Sequence, residues 1–485
     1  MSVAELEIQG EALHQELGRE YYLTGAGLKL AADFEAIYAR YPTLVSEEAL
    51  AAARASGSPA LLEWIIGLRV GRAVARTEAR QLAWEQSAAV RWDGKEVPYL
   101  RVPIELANLE DRRARMGLDR ARATMVSAGV TRIRQEWMDG ERHVMTAAGF
   151  PDYTAAVSVL SGIDLRALAV QAEQFLDRTV DLYREALLRV VRQSMSGVPL
   201  ADLVRSDAAW LFRARAFDAA FPGGSMLPVA NRQMSELGLS TTQGGRVVCD
   251  VEERPAKQPR AFCVPVRVPD EVYLVIRPRG GHTDYRTFWH ELGHAIHYAL
   301  VDPAHSFAAR WLGDNSVTEG FAMLWDHMTV DHAWLRRYGG LSRPDADRLT
   351  FEFGVYELYA VRRYAAKLGY EMALYGQARD APSEYADRLS RATLFRCSPD
   401  DYLVDVDPWF YAARYLRAWQ FEAAMAEALI GRFDEDWFRN PQAGPHLASY
   451  MCRGQAAPAD ALALEATGSQ LSFDPLVRRL ERLLG

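Results

Sequence analysis

His290, Glu291 and His294 stand as H-E-x-x-H inside the stretch Thr287-Phe-Trp-His-Glu-Leu-Gly-His-Ala-Ile-His297. An α-helix turns about 100° per residue, so side chains four apart share a face, one turn above the other. Two imidazoles placed this way can grip one zinc ion from a single rigid element. The glutamate beside the first can take a proton from water held there. Catalytic zinc uses three protein ligands and keeps one position for water, so a third ligand is expected. His297 shares the helix face, but seven residues of helix rise about 10 Å. Donors that must each lie about 2 Å from one ion cannot be that far apart. His282, just ahead of the run, is not excluded by this argument. Glu319 is the better candidate. It falls in the first turn of a second helical run, Asn315-Ser-Val-Thr-Glu-Gly-Phe-Ala-Met-Leu-Trp-Asp-His327, and a two-helix hairpin could bring it to the imidazoles. A helix dipole would favour an acid at that position even without a metal. Asp326 and His327, about two turns further on, could support the imidazoles, although a solvated helix face is their ordinary reading.

The elements that must position these residues can be read from pattern. Gly280-Gly281 gives a loop, Thr283 and Asp284 are candidate N-caps, and Phe288, Leu292, Ala295 and Ile296 supply an apolar helical face. Strand-like sequence is scarce and lies upstream, at 245–249, 261–268 and 271–277. Residues 1 to about 200 read as successive helices, among them 46–55, 59–87 and a long amphipathic helix from Asp164 through Val190. The prolines of Val97-Pro-Tyr-Leu-Arg-Val-Pro103 predict a loop there. After Glu319 helix returns to about 430, and Asp474-Pro475 opens a short final helix. The expected fold is mostly α with one small β-sheet beside the metal helix.

Composition bounds the partners. The 485 residues are 49% hydrophobic and 25% charged, with a net charge of −8, so a broad basic surface for nucleic acid is not expected. Four widely spaced cysteines without a C-x-x-C read as reduced thiols. The N-terminus lacks a signal-peptide core, and no apolar run approaches the roughly 20 residues needed to span a bilayer. A cytoplasmic protein with no membrane partner is the expectation, and the oligomeric state is left open.

The order His290, Glu291, His294 and then Glu319, with 24 residues between the last two, resembles the thimet oligopeptidase and oligoendopeptidase F family of zinc metallopeptidases. The likeness continues upstream in Asp250-Val-Glu-Glu-Arg-Pro-Ala-Lys-Gln-Pro-Arg-Ala-Phe-Cys263, and it covers roughly residues 200 to 430. It implies a helical oligopeptidase (neurolysin-like) fold with a deep channel. Residues 1–200 would form an N-terminal helical wall and residues 201–485 the zinc metallopeptidase region. It also implies one Zn2+ per chain on His290, His294 and Glu319, Glu291 as general base, and short peptides as substrates. The peptide would lie extended along the strand at 272–276 by strand addition.

Asp407-Pro-Trp-Phe-Tyr-Ala-Ala-Arg-Tyr415 resembles the family's tyrosine-rich segment. By that likeness Tyr411 stabilises the oxyanion, and Tyr415 lies one helical turn on. Two departures thin the set of donors: no histidine precedes Tyr411 at Asp405, Val406 or Asp407, and Ala418 stands where thimet-type members carry a second tyrosine. The missing histidine favours a zinc-binding protein of the same fold that holds peptides without cutting them, whereas an intact Glu291 opposes it. A zinc hydrolase of non-peptide amides uses the same core chemistry.

Overall fold

Side-chain caps and apolar periodicity fix most of the helices. Ser46 accepts a hydrogen bond from Ala49 N at 3.2 Å and opens the helix Glu47–Ala55, while Pro59 begins Pro59–Ser87, where a missing N–H costs nothing. The computed structural model describes residues 1–485, and the molecule is mostly α-helical with two small sheets. The long helix expected from 164 to 190 is two helices, Leu165–Arg178 and Val180–Ser194. Asp164 caps the first as expected, accepting from Ala167 N at 2.9 Å. The break is at Thr179, whose hydroxyl donates to Phe175 O and accepts from Arg362 Nη1, both at 2.7 Å. A buried polar anchor of this kind leaves no trace in hydrophobic spacing.

The stretch 97–103 departs from the expected loop. Strand β1 (Ala89–Trp92) pairs antiparallel with β2 (Lys95–Pro98) across an Asp93-Gly94 turn whose residues have φ of 49° and 70°. Both prolines are tolerated, because Pro98 ends its strand and Pro103 sits in the first turn of the helix Val102–Asn108. The second sheet contains β3 (Val247–Asp250), β4 (Phe262–Arg267) and β5 (Glu271–Val275), in the order β3-β5-β4. β3 runs parallel to β5, and β4 runs antiparallel to it. β5 is therefore the central strand, with neighbours on both sides. It offers no free edge, and the expectation that a peptide lies along 272–276 is corrected: the edges are β3 and β4.

The chain forms two compact units. One contains Met1–Ile65, Ala214–Thr350 and Arg417–Arg479; the other contains Ile66–Arg213, Phe351–Leu416 and Leu480–Gly485. In the first unit, contacts such as Arg19 to Glu271 (2.9 Å) and Arg310 to Glu11 (2.7 Å) tie the N-terminal helix Val3–Gly25 to residues near the sheet. Its core joins Phe288, Trp289, Leu292 and Ile296 to Phe321, Leu324 and Trp325, with Val272 and Leu274 from the sheet. No single helix is long and apolar enough to cross a membrane.

Candidate metal centre

Two helices of the first unit build the centre. The helix His282–Leu300 starts after Gly280 and Gly281, whose φ values of 94° and 92° suit glycine. At Gly281 a Cβ would also meet Asp218 Oδ1 at 2.7 Å. Gly281 is the cap position, so Thr283 and Asp284 are not N-caps, as the sequence pattern had predicted, but lie within the first turn. Asp284 Oδ2 instead reaches back to accept from Arg279 N (2.8 Å) and Gly280 N (2.9 Å), which fixes the entry loop. The facing helix, Asn315–Met328, is capped by Asp314, which accepts from Ser316 N at 2.9 Å.

The helices approach closely because Gly293 faces Ala322. A Cβ at position 293 would lie 2.7 Å from Ala322 Cα and 2.8 Å from Trp325 Cδ1. This contact brings Glu319 to the imidazole pair. His290 Nε2 lies 3.5 Å and His294 Nε2 3.7 Å from Glu319 Oε2. The two rings are 4.9 Å apart and nearly perpendicular, and one ligand atom from each of the three residues falls within 4.8 Å of the others. Two imidazole nitrogens and a carboxylate oxygen converging on one point suit a divalent zinc-like cation.

The far side of each ring is also held. His290 Nδ1 is 3.0 Å from Asp326 Oδ2, and His294 Nδ1 is 2.9 Å from Thr318 Oγ1. An ionised carboxylate can only accept, so Nδ1 of His290 carries a proton toward Asp326, and Nε2 is the nitrogen turned to Glu319. Burial pushes the Asp326 carboxyl up, but the charges of His327 and Arg286 and the His290 hydrogen bond outweigh this and hold it well below the usual carboxylate range. Burial alone would lower His290. Asp326 and Glu319 overcome it and raise the imidazole to about 10, whereas burial takes His294 down to about 4. The acids thus draw one positive charge into the centre, and His294 keeps a neutral, donating nitrogen. Both properties fit a bound cation.

Glu291 follows His290 in the same helix. Its Oε2 accepts from Cys263 N on β4 at 2.8 Å, and burial raises its carboxyl above the ordinary range. The other histidines of this region are directed elsewhere. His282 is buried against Phe221 with Nε2 3.2 Å from Thr329 O, and His297 is buried with Nε2 3.3 Å from Gly454 O. Asp326, read from sequence as part of a solvated face, is buried and bonded to His290. Its spacing seven residues past Glu319 puts it on the same helix face, which was the available signal. His327 Nδ1 contacts Met323 O (2.6 Å) and Asp326 Oδ1 (3.0 Å). Thr318 and the Cys263 N–H had no sequence signal of their own.

Tyr411 and Tyr415 belong to the second unit, at the start of the helix Tyr411–Phe433. Their rings are 5.1 Å apart, and Tyr415 meets Tyr364 at 5.2 Å. The segment before them is constrained: Trp409 and Phe410 have φ of 59° and 49°, Asp407 N donates to Glu371 Oε1 at 2.8 Å, and Trp409 N donates to Tyr153 Oη at 3.0 Å. No protein-family model and no curated protein matches the chain.

Proposed function

We propose that this chain is a zinc-dependent metallopeptidase of the thimet oligopeptidase and oligoendopeptidase F type, hydrolysing peptide bonds in short oligopeptides in the cytoplasm. The observation that carries the reading is the convergence of His290 Nε2, His294 Nε2 and Glu319 Oε2, with Glu291 next to His290 in the same helix. His290, His294 and Glu319 would hold the ion. The chemistry it supplies is Lewis acidity toward water and toward a carbonyl oxygen.

The residues of the chain do the rest. Glu291 takes the proton of the attacking water and passes it to the leaving amine. The Cys263 N–H fixes Glu291 Oε2 and leaves Oε1 for that transfer. Asp326 and Thr318 keep the imidazole nitrogens oriented. By the family likeness alone, Tyr411 would be the donor to the developing oxyanion, with Tyr415 one helical turn on. Loss of one such donor typically costs about a hundred- to a thousandfold in rate. Restriction to short peptides rests on the same likeness. Four free cysteines agree with a reducing compartment.

The test is metal analysis together with cleavage of a quenched-fluorescence peptide library, with and without chelator. Wild type is expected to carry about one zinc per chain and to cut peptides only with metal present. Glu291→Gln should keep the zinc and cut roughly a hundred- to ten-thousandfold more slowly. His290→Ala or His294→Ala should lose metal and activity together. Absence of bound metal, or near wild-type cleavage by Glu291→Gln, overturns the reading.

A further inference from the structure

The Asp326 carboxylate has two oxygens, and only one of them serves His290. Oδ2 takes the Nδ1 contact at 3.0 Å. Oδ1 is buried and accepts no well-directed hydrogen bond within the chain, but two basic side chains flank it. Arg286 Nη2 lies 3.7 Å from it and His327 Nδ1 3.0 Å. The imidazole has little to give this oxygen. His327 Nδ1 is also 2.6 Å from Met323 O, a carbonyl that can only accept, so its proton is committed to the backbone. The Arg286 guanidinium keeps its charge at any working pH. At 3.7 Å it makes an ion pair, too long to be a hydrogen bond.

Arg286 precedes His290 by four residues in the helix His282–Leu300, so the two share a face, one turn apart. Asp326 reaches both from the helix Asn315–Met328, within the same compact unit. Its side chain is 10% exposed, so water screens these charges poorly. A carboxylate held at one oxygen can still turn about its last side-chain bond, whose torsion is broad. A fixed charge on the second oxygen limits that turning. The same charge compensates a buried anion that would otherwise stand uncovered on one side.

We propose that Arg286 is a positioning residue of the metal centre: its guanidinium holds the Asp326 carboxylate in the orientation that keeps His290 Nδ1 bonded and Nε2 turned to Glu319. The consequence for zinc rests on the metallopeptidase reading, whereas the effect on the His290 ring does not.

Zinc affinity, from competition with a chromophoric chelator, is measured for wild type, Arg286→Gln, Arg286→Lys, Asp326→Asn and the double variant carrying Arg286→Gln and Asp326→Asn. Removing a guanidinium would by itself favour zinc, because like charges repel. Losing the orienting contact acts in the opposite direction, and groups that orient ligands typically count for about ten- to a hundredfold in affinity. Arg286 acts through Asp326 and should contribute less than Asp326 itself, so Arg286→Gln is expected to bind zinc severalfold to about tenfold more weakly. Arg286→Lys should stay within about threefold of wild type, since a point charge suffices for an ion pair of this length. In the Asp326→Asn background, Arg286→Gln should cause no further loss. A similar loss in both backgrounds, or affinity unchanged or tighter in Arg286→Gln alone, overturns the proposal.

The imidazole proton resonances, assigned with His290→Gln and His294→Gln, separate orientation from a general loosening of the helix pair. In metal-free protein the Nδ1 proton of His290 should shift in Arg286→Gln, while that of His294, which rests on Thr318, stays in place. Equal movement of both signals, or of neither, refutes the role. If wild type binds no zinc, the metallopeptidase reading fails separately, and these resonances alone decide what Arg286 does.

Discussion

At the scale of single residues, the two candidate ligand imidazoles are supported unequally. His290 is backed by a buried carboxylate and His294 by a hydroxyl. Hydrogen bonds to an ionised acceptor are roughly twice as strong as neutral ones. Removing the carboxylate also removes a negative charge that helps to hold a cation. Asp326→Asn is therefore expected to weaken zinc binding by about tenfold to a hundredfold, and Thr318→Val by less. Competition with a chromophoric chelator would measure both, and equal affinities for wild type and Asp326→Asn would refute the assigned role. The pair His290 and His294 was legible in sequence because helical periodicity fixes four-residue spacing without outside help. Glu319 was legible through its distance from His294 in a known pattern. Asp326 was ambiguous, since a position two turns from a ligand faces either a ring or solvent depending on how the helices cross. The Cys263 N–H was invisible, because a backbone donor carries no residue signature.

At the scale of elements, the centre depends on how closely two helices approach. Replacing Gly293 by alanine raises helix propensity by about 1 kcal/mol. The added methyl, however, would lie 2.7 Å from Ala322 Cα, a backbone atom that cannot rotate away. Overpacking of this kind costs typically about 1–3 kcal/mol, so crowding wins over propensity. Gly293→Ala should lower the urea midpoint and weaken zinc binding, because separating the helices carries Glu319 away from the imidazoles. A variant as stable as wild type with unchanged affinity would show that the contact is not what sets the distance. Strands at 247–250, 262–267 and 271–275 were readable from their β-branched and aromatic runs, but their order was not. β5 is central because β3 and β4 both pair with it, a long-range choice that no local pattern encodes. The β1–β2 hairpin was readable in principle from Asp93-Gly94, a favoured two-residue turn, and the prolines that follow masked it.

At the scale of the whole molecule, each compact unit gathers segments far apart in sequence. Residues 1–65 pack with 214–350, which composition and periodicity along the chain do not record. The candidate metal donors lie in one unit, while the other carries buried acids of its own. Burial pushes Glu141 up to about 7 and Glu371 up to about 8. Both acids serve the segment that leads into Tyr411: Tyr153 Oη donates to Glu141 Oε2 at 3.2 Å and receives the Trp409 N–H, and Glu371 receives the Asp407 N–H. Below about pH 4.5 a glutamate is protonated in folded and unfolded chains alike. As pH rises from there, the unfolded chain releases these protons while the folded protein keeps them, so stability falls until the folded groups also ionise near 7 and 8. The melting temperature should therefore decline between about pH 5 and 8 in wild type. Glu371→Gln keeps an acceptor for Asp407 N without a proton to lose, and it should decline less steeply over the same range. Thermal scans at fixed zinc and ionic strength decide the matter. Parallel slopes for the two proteins would mean that Glu371 is already ionised at pH 5, held there by Lys367, whose ammonium lies 4.0 Å from it.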